Sequence, residues 1–160
     1  MTKLAVFDLD FTVWPMNADQ DVYPSLRQIT GGVADGRGRE IKLYPDIKQI
    51  LALLKEQNVT IGIASKDRAP DLCREILEKH GIMDYFDTEL IEIYPCRTKV
   101  LQFEKFWARG FVKEKTIFFD DSRTNVRELE KHGVHSIQVT HKHGATLDIV
   151  KTALKRISSK

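Results

Sequence analysis

Hydrophobic residues along the chain form short continuous runs that predict the strands of a sheet. Five runs rich in Val, Ile and Phe span residues 3–9, 59–64, 89–93, 116–119 and 136–139. Apolar residues follow one another in these runs and do not alternate with polar ones. That pattern is typical of strands covered on both faces, as in a parallel sheet.

Between these runs, hydrophobic residues recur three and four positions apart, which predicts amphipathic helices. The repeats are Ile47, Ile50, Leu51 and Leu54; Leu72, Ile76 and Leu77; Val100, Leu101, Phe103, Phe106 and Trp107; Val126 and Leu129; and Leu147, Val150, Leu154 and Ile157. Gly81 and Gly133 stand where left-handed C-terminal helix caps are expected. The alternation predicts one α/β domain over residues 1–160, Rossmann-like, with a central parallel five-stranded sheet flanked by helices.

Residues 15–42 do not fit the alternation. The stretch holds four of the nine glycines together with Pro15 and Pro24, and it has little periodicity. A connection this long in a compact domain is usually functional or disordered. It follows the first strand, at the edge where open α/β sheets bind ligands. We therefore expect an active-site flap that contains a small hairpin and no larger cap, with a plain surface loop as the alternative.

Composition and charge restrict the function classes. The chain is 42% hydrophobic and 30% charged with a net charge of +2, so neither intrinsic disorder nor a nucleic-acid partner is expected. No apolar run is long enough to cross a membrane, and the first residues lack a signal peptide's apolar stretch. Cys73 and Cys96 lie in different segments, which favours a reducing compartment. We expect a cytoplasmic monomer that binds no membrane.

Two predicted strands end in pairs of acidic residues. The first run ends in Asp8 and Asp10, and the fourth runs into Asp120 and Asp121. Carboxylates this close repel one another unless a cation lies between them, and Mg2+ binds carboxylate oxygens. Each pair alone has an ordinary alternative, in which the acids cap a loop or a helix. Because the carboxyl ends of parallel strands meet at one edge, the four acids together predict a metal site.

Two further polar residues follow the second and third runs. Ser65 ends the second run, and its hydroxyl or N–H group is suited to a phosphoryl oxygen. Lys99 follows the third run, and its ammonium group is suited to charge that develops on the same phosphoryl group. Alone, such a Ser usually caps a helix and such a Lys usually faces solvent. Together with the acids, they predict a site for phosphoryl chemistry.

In this order the four elements resemble the four motifs of the haloacid dehalogenase superfamily of phosphohydrolases. The motifs match Asp8, Asp10 and Thr12 in DxDxT, then Ser65, then Lys99, and then Asp120, Asp121 and Asn125 in DDxxxN. Within the superfamily the chain looks like the small magnesium-dependent phosphatases, on residues 6–15, 43–45, 93–95 and 118–121. The residue after the Ser is often Arg in that family and is Lys66 in this chain.

The resemblance implies a Mg2+-dependent phosphomonoester hydrolase. Asp8 would attack phosphorus and form an aspartyl-phosphate, and Asp10 would act first as acid and then as base. Mg2+ would be held by Asp8, by the backbone carbonyl of Asp10 and by Asp121, with Asp120 as an outer ligand or a partner of Lys99. The implied substrate-binding residues are Ser65, Lys66, Lys99, Thr12 and Asn125, of which Thr12 would brace the first loop.

The substrate class is open at this point. The magnesium-dependent phosphatases are associated with phosphotyrosine in proteins and with phosphorylated sugars or glycated amines, and a capless site admits either. Trp14, Tyr23, Arg37 and Arg39 are candidate substrate contacts, with plain packing as the alternative for the aromatic residues. A phosphate- or metal-binding module without turnover, and a phospho- or acyltransferase, are alternatives to hydrolysis. Residues 141–143, His-Lys-His, are expected to be ordinary surface.

Overall fold

A computed structural model describes residues 2–158 of the chain, and a five-stranded parallel sheet forms its centre. The strands of this sheet are β1 (Leu4–Phe7), β4 (Thr60–Ser65), β5 (Ile91–Ile93), β6 (Thr116–Asp120) and β7 (His135–Gln138), in the spatial order β5-β4-β1-β6-β7. A separate antiparallel hairpin consists of β2 (Arg27–Ile29) and β3 (Gly32–Ala34). β1 pairs with both β4 and β6 and is therefore the central strand. Asp8 and Asp10, which follow β1, thus lie beyond the carboxyl end of the middle of the sheet.

Helices pack on both faces of the sheet. The described residues form α1 (Ala18–Asp21), α2 (Ile47–Glu56), α3 (Pro70–Lys79), α4 (Val100–Ala108), α5 (Arg123–Lys131) and α6 (Leu147–Ser158), with short 3-10 helices at Met83–Tyr85, Thr88–Leu90 and Lys113–Lys115. Within residues 2–158, no helix combines the length and the apolar character that crossing a bilayer requires.

Alternate side chains of β1 enter two separate hydrophobic clusters. Ala5 and Phe7 face the cluster that α2, α3 and α6 complete, whereas Leu4 and Val6 face the one that α4 and α5 complete. Phe7 stacks on Phe119 of the neighbouring strand, with ring centroids 5.0 Å apart. Because both faces are covered, nearly every strand position must be apolar. This burial explains why the strands are continuous hydrophobic runs in the sequence.

The predicted α/β sheet of five parallel strands is confirmed, and the differences lie at the ends of elements. The first run extends to residue 9, but β1 ends at Phe7 because the chain turns there: Phe11 has a φ of +59°, and the N–H of Val13 donates to the carbonyl of Leu9 at 2.8 Å. The third run begins at residue 89, but its first residues belong to the 3-10 helix Thr88–Leu90. The strand cores were therefore easier to predict than their ends.

The flap is an ordered unit that packs on the rest of the domain. The backbone N–H of Leu26 donates to Glu75 at 2.8 Å, and Gln28 donates to the carbonyl of Lys79 at 3.0 Å, so the hairpin is tied to α3. Asp35 accepts backbone N–H bonds from within the flap itself. Residues 15–42 thus contain the expected small hairpin, and their role as an active-site flap stays a prediction.

Candidate active site

The carboxyl ends of β1, β4 and β6 open into a cavity of about 420 Å³. Its lining residues are Asp8, Asp10, Phe11, Asn17, Asp19, Gln20, Ser65, Lys66, Asp67, Arg68, Lys99, Asp120, Asp121, Ser122, Asn125 and His141. Of the predicted site residues, all but Thr12 line this cavity. A larger cavity of about 570 Å³ lies beside the hairpin and contains none of them. The chemistry-bearing residues therefore single out the smaller cavity.

Lys99 is a buried cation shared by two carboxylates. Its Nζ atom lies 2.8 Å from Asp8 Oδ1 and 2.7 Å from Asp120 Oδ2, and only 1% of the residue is exposed. Burial acts to lower the pKa of Lys99, but the two carboxylates more than compensate and raise it above its usual value. Lys99 is therefore charged, and it joins the ends of β1 and β6.

The single ammonium group of Lys99 does not neutralise the negative charge of the carboxylates around it. Burial raises the pKa of Asp8, with Lys99 acting in the opposite direction. Burial and the charge on Asp8 raise the pKa of Asp120 to about 6, again against Lys99. Asp120 is also held by the amide of Asn125 at 3.0 Å and by the backbone N–H of Ser122 at 2.9 Å. The cluster still lacks positive charge.

Asp8, Asp120 and Asp121 fit a divalent cation. Each offers a carboxylate oxygen, and these atoms all lie within 4.8 Å of one another. An all-oxygen set with surplus negative charge suits a hard cation such as Mg2+. The side chain of Asp10 is not part of this group, and the use of its backbone carbonyl as a ligand stays a prediction.

Asp10 lies in an environment that raises its pKa. Its Oδ1 atom accepts hydrogen bonds from the Trp14 indole at 2.8 Å and from the backbone N–H of Ala18 at 2.9 Å. Burial and a side-chain hydrogen bond with Asp67 raise the pKa of Asp10 to about 8, although the bonds from Ala18 and Trp14 act to lower it. A raised pKa suits a carboxyl group that is to give up a proton in one step and take one in the next, so the predicted acid–base role of Asp10 agrees with its surroundings.

Asp67 and Arg68 are site residues that the sequence analysis missed. Asp67 is buried, and its Oδ2 atom has no hydrogen-bond donor among the described residues. Arg68 is exposed and lines the cavity next to Lys66. Their position just after the strand that ends in Ser65 is the sequence feature that could have identified them. Arg68 supplies a guanidinium group near the place where the family often has one.

Two predicted substrate-binding residues support carboxylates instead. Thr12 is fully buried, and its hydroxyl donates to Asp8 Oδ2 at 3.2 Å, which agrees with the bracing role that the resemblance implies. The Asn125 amide N–H is used by Asp120. Ser65 and Lys66 do line the cavity, where the Ser65 hydroxyl accepts the backbone N–H of Asp67 at 3.2 Å. Their contacts with substrate stay predictions.

The four candidate contacts in and beside the flap are not in the cavity wall. Trp14 is fully buried, so direct contact with substrate is wrong and the packing alternative is correct. The Arg37 guanidinium lies 4.6 Å from the centre of the Tyr23 ring, and Arg39 donates to the carbonyl of Asp21. The flap reaches the cavity instead through Asn17, Asp19 and Gln20, at and within α1.

His141 was expected to lie at the surface, and its side chain is exposed, but it also contacts two residues of the site. Its Nε2 atom lies 2.9 Å from Asp121 Oδ2, and its ring stacks on Phe11 with centroids 4.2 Å apart. The side chain is exposed but lines the cavity. Nothing in the local His-Lys-His sequence distinguishes it from surface, because the contact depends on how two loops meet.

Comparison with known proteins agrees with this geometry. The model of the Acid Phosphatase family matches residues 1–160. Magnesium-dependent phosphatase 1 of Homo sapiens is 34% identical over 157 residues, which cover 97% of this chain and 86% of that protein. The HAD-like hydrolase superfamily protein P8B7.31 of Schizosaccharomyces pombe is 29% identical over 158 residues, covering 91% of this chain and 90% of that one.

A solved structure shows the same fold at low sequence identity. A HAD-superfamily hydrolase from Ehrlichia chaffeensis superposes with a TM-score of 0.63 at 16% identity, covering 98% of this chain and 99% of that one. The predicted resemblance to the haloacid dehalogenase superfamily and to its magnesium-dependent phosphatases is thereby confirmed.

Proposed function

The chain belongs to the acid phosphatase family, within the haloacid dehalogenase superfamily, and on this premise we propose that it is a magnesium-dependent phosphomonoester hydrolase. The observation that carries the proposal is the cluster of Asp8, Asp120 and Asp121, in which two buried carboxylates share the ammonium group of Lys99 and the third lies within 4.8 Å of them. Mg2+ bound by these carboxylates would supply the missing positive charge and stabilise the charge on the phosphoryl oxygens. The name of the human relative supports this choice of cation.

Asp8 is the nucleophile in this proposal. One of its oxygens forms a bond to phosphorus while the bond from phosphorus to the ester oxygen breaks, and Asp10 gives its proton to that leaving oxygen. Lys99 at 2.8 Å and Thr12 at 3.2 Å hold the two oxygens of Asp8. The carboxylate is therefore already oriented before substrate binds, which lowers the cost of reaching the transition state.

Water completes the cycle. Asp10, now a carboxylate, takes a proton from a water molecule whose oxygen attacks the aspartyl-phosphate, and inorganic phosphate leaves as the Asp8 carboxylate is restored. Lys99 and Ser65, which both line the cavity, would stabilise the phosphoryl oxygens. The raised pKa of Asp10 supports catalysis over a module that only binds phosphate or metal, since simple binding needs no proton donor.

The cavity wall favours a polar leaving group. Asn17, Asp19 and Gln20 lie on the flap side, and Lys66 and Arg68 are further polar lining residues. The described lining offers one aromatic hydrocarbon ring, Phe11, and that ring is already stacked on His141. A phosphotyrosine ring calls for an apolar slot, whereas a hydroxyl-rich ester suits hydrogen-bonding walls. We therefore propose small polar phosphomonoesters, such as sugar phosphates, as the substrates.

Hydrolysis of p-nitrophenyl phosphate tests the reaction class. Turnover should require Mg2+, stop with EDTA and return when Mg2+ is added in excess. Asp8→Asn should lower turnover at least about a thousandfold, because it removes the nucleophile, while leaving the circular dichroism spectrum unchanged. Asp84→Asn, an exposed acid outside the cavity, is the matched control and should keep full activity. Metal-independent turnover would refute the proposal.

A second assay tests the substrate class. The kcat/KM values for a panel of sugar phosphates are compared with those for phosphotyrosyl peptides, at saturating Mg2+. We expect the sugar phosphates to be the better substrates. Higher kcat/KM for the peptides would contradict the argument from the polar wall without affecting the reaction class.

A further inference from the structure

The turn after β7, residues 140–144, is fixed in place above the metal cluster. The Tyr44 hydroxyl donates to the carbonyl oxygen of His141 at 2.6 Å. Gly144 packs so closely on the Tyr44 ring that a Cβ atom there would lie 2.2 Å from it, so a larger residue would displace the turn. The position of His141 is thus determined by the fold, although its side chain is exposed.

His141 contacts both loops that form the active site. Its Nε2 atom is 2.9 Å from Oδ2 of Asp121, in the loop after β6. Its ring stacks on Phe11, in the loop after β1, with the two planes 19° apart. The backbone N–H of Ala145 adds a bond to the carbonyl of Thr12 at 2.9 Å, so the same turn is attached to the nucleophile loop.

We propose that His141 is a positioning residue for the metal ligand Asp121. The imidazole donates its Nε2–H to one oxygen of that carboxylate and leaves the other oxygen for the cation. The stack on Phe11 fixes the plane of the ring and therefore the direction of the bond. The proposal rests on the magnesium site of the proposed function but not on the hydrolysis reaction.

A role as a direct metal ligand fits less well. Mg2+ prefers oxygen donors, and the imidazole nitrogen is already at hydrogen-bond distance from a carboxylate oxygen. Partners that orient a metal ligand typically alter metal affinity by about 10- to 100-fold. Because 64% of the His141 side chain is exposed, replacing it should leave the metal-free fold intact.

Mg2+ affinity, measured by calorimetry on the metal-free protein without substrate, tests the proposal. His141→Ala should weaken binding about 10- to 100-fold, and His141→Gln should recover most of it because an amide can donate a similar bond. His143→Ala is the matched control: His143 is exposed in the same turn and is not in the cavity wall, so its replacement should leave affinity unchanged. Melting temperatures without metal should be the same for all four proteins.

Three results would overturn the proposal: wild-type affinity in His141→Ala, equal losses in His141→Ala and His141→Gln, or an equal loss in His143→Ala. Nitrogen coupling to bound Mn2+ in the electron paramagnetic resonance spectrum would also overturn it, since that would make His141 a ligand. A wild-type protein that binds Mg2+ with the expected pattern of variants but hydrolyses no ester would refute the proposed function and leave this inference standing.

Discussion

Asp120 and Asp35 are both buried aspartates, but the active site and the flap hold them in different ways. Asp120 is held largely by the side chains of Lys99, which is 21 positions away, and of Asn125 in the following helix, and burial raises its pKa to about 6. Asp35 accepts three backbone N–H bonds from within the flap, at 2.9 to 3.2 Å. Burial acts to raise the pKa of Asp35, but these bonds outweigh it and the pKa lies below its usual value.

The comparison shows that burial alone does not identify a functional acid. A carboxylate surrounded by N–H donors is stable as an anion, so Asp35 serves the structure of the flap. A carboxylate that competes with a second one for a single ammonium group is short of positive charge, and it can gain from a bound cation. The identity of the partners therefore separates the structural acid from the acid of the metal cluster.

Replacing Lys99 should cause the largest loss of folding stability. Lys99→Met leaves Asp8 and Asp120 buried without their cation, which should lower the free energy of unfolding by about 3 to 5 kcal/mol in metal-free protein. Urea unfolding in EDTA measures the change. Lys66→Met is the control, because Lys66 lines the same cavity but donates only a 3.4 Å bond to the carbonyl of Arg97. Equal losses in the two variants would mean that the carboxylates do not depend on Lys99.

Asp35→Asn should have a smaller effect, confined to the flap. An amide presents one acceptor oxygen where the carboxylate presents two, so at least one backbone N–H loses its partner. The side chain is fully covered but lies in a thin flap, so we expect a loss of about 1 to 2 kcal/mol in the free energy of unfolding. Asp84→Asn is again the control.

The pH dependence sharpens this prediction. Because the pKa of Asp35 is lowered on folding, its contribution is complete well above the ordinary value of 3.8 and is lost as pH falls through the lower folded-state pKa. The stability difference between wild type and Asp35→Asn should therefore be constant near neutral pH and shrink below pH 3.8. A difference that grows on acidification would contradict the role of Asp35 as a stabilised anion.

The carboxylate cluster was predictable from sequence, whereas several of its neighbours were not. Asp8 and Asp120 directly follow continuous apolar runs at the carboxyl ends of β1 and β6, and parallel strands bring such residues to one edge. The bond between His141 and Asp121 joins two loops 20 positions apart, and no local pattern encodes it. Trp14 illustrates a different limit. An aromatic residue beside a motif can either pack in the core or contact substrate, and the sequence does not show that Trp14 is fully buried.

Replacing Arg39 should have the smallest effect on stability. It tests whether an ion pair or the backbone N–H groups stabilise the carboxylate of Asp35. Its Nε atom lies 3.8 Å from Asp35 Oδ2, but 62% of the side chain is exposed, so solvent screens the pair. Arg39→Ala keeps the backbone N–H that donates to Asp35 at 2.9 Å and should cost less than about 1 kcal/mol, measured by the same urea unfolding. A loss as large as that of Asp35→Asn would mean that an ion pair holds the flap acid. Asp35 would then depend on a cation, as Asp120 does, and the backbone bonds would no longer distinguish the two regions.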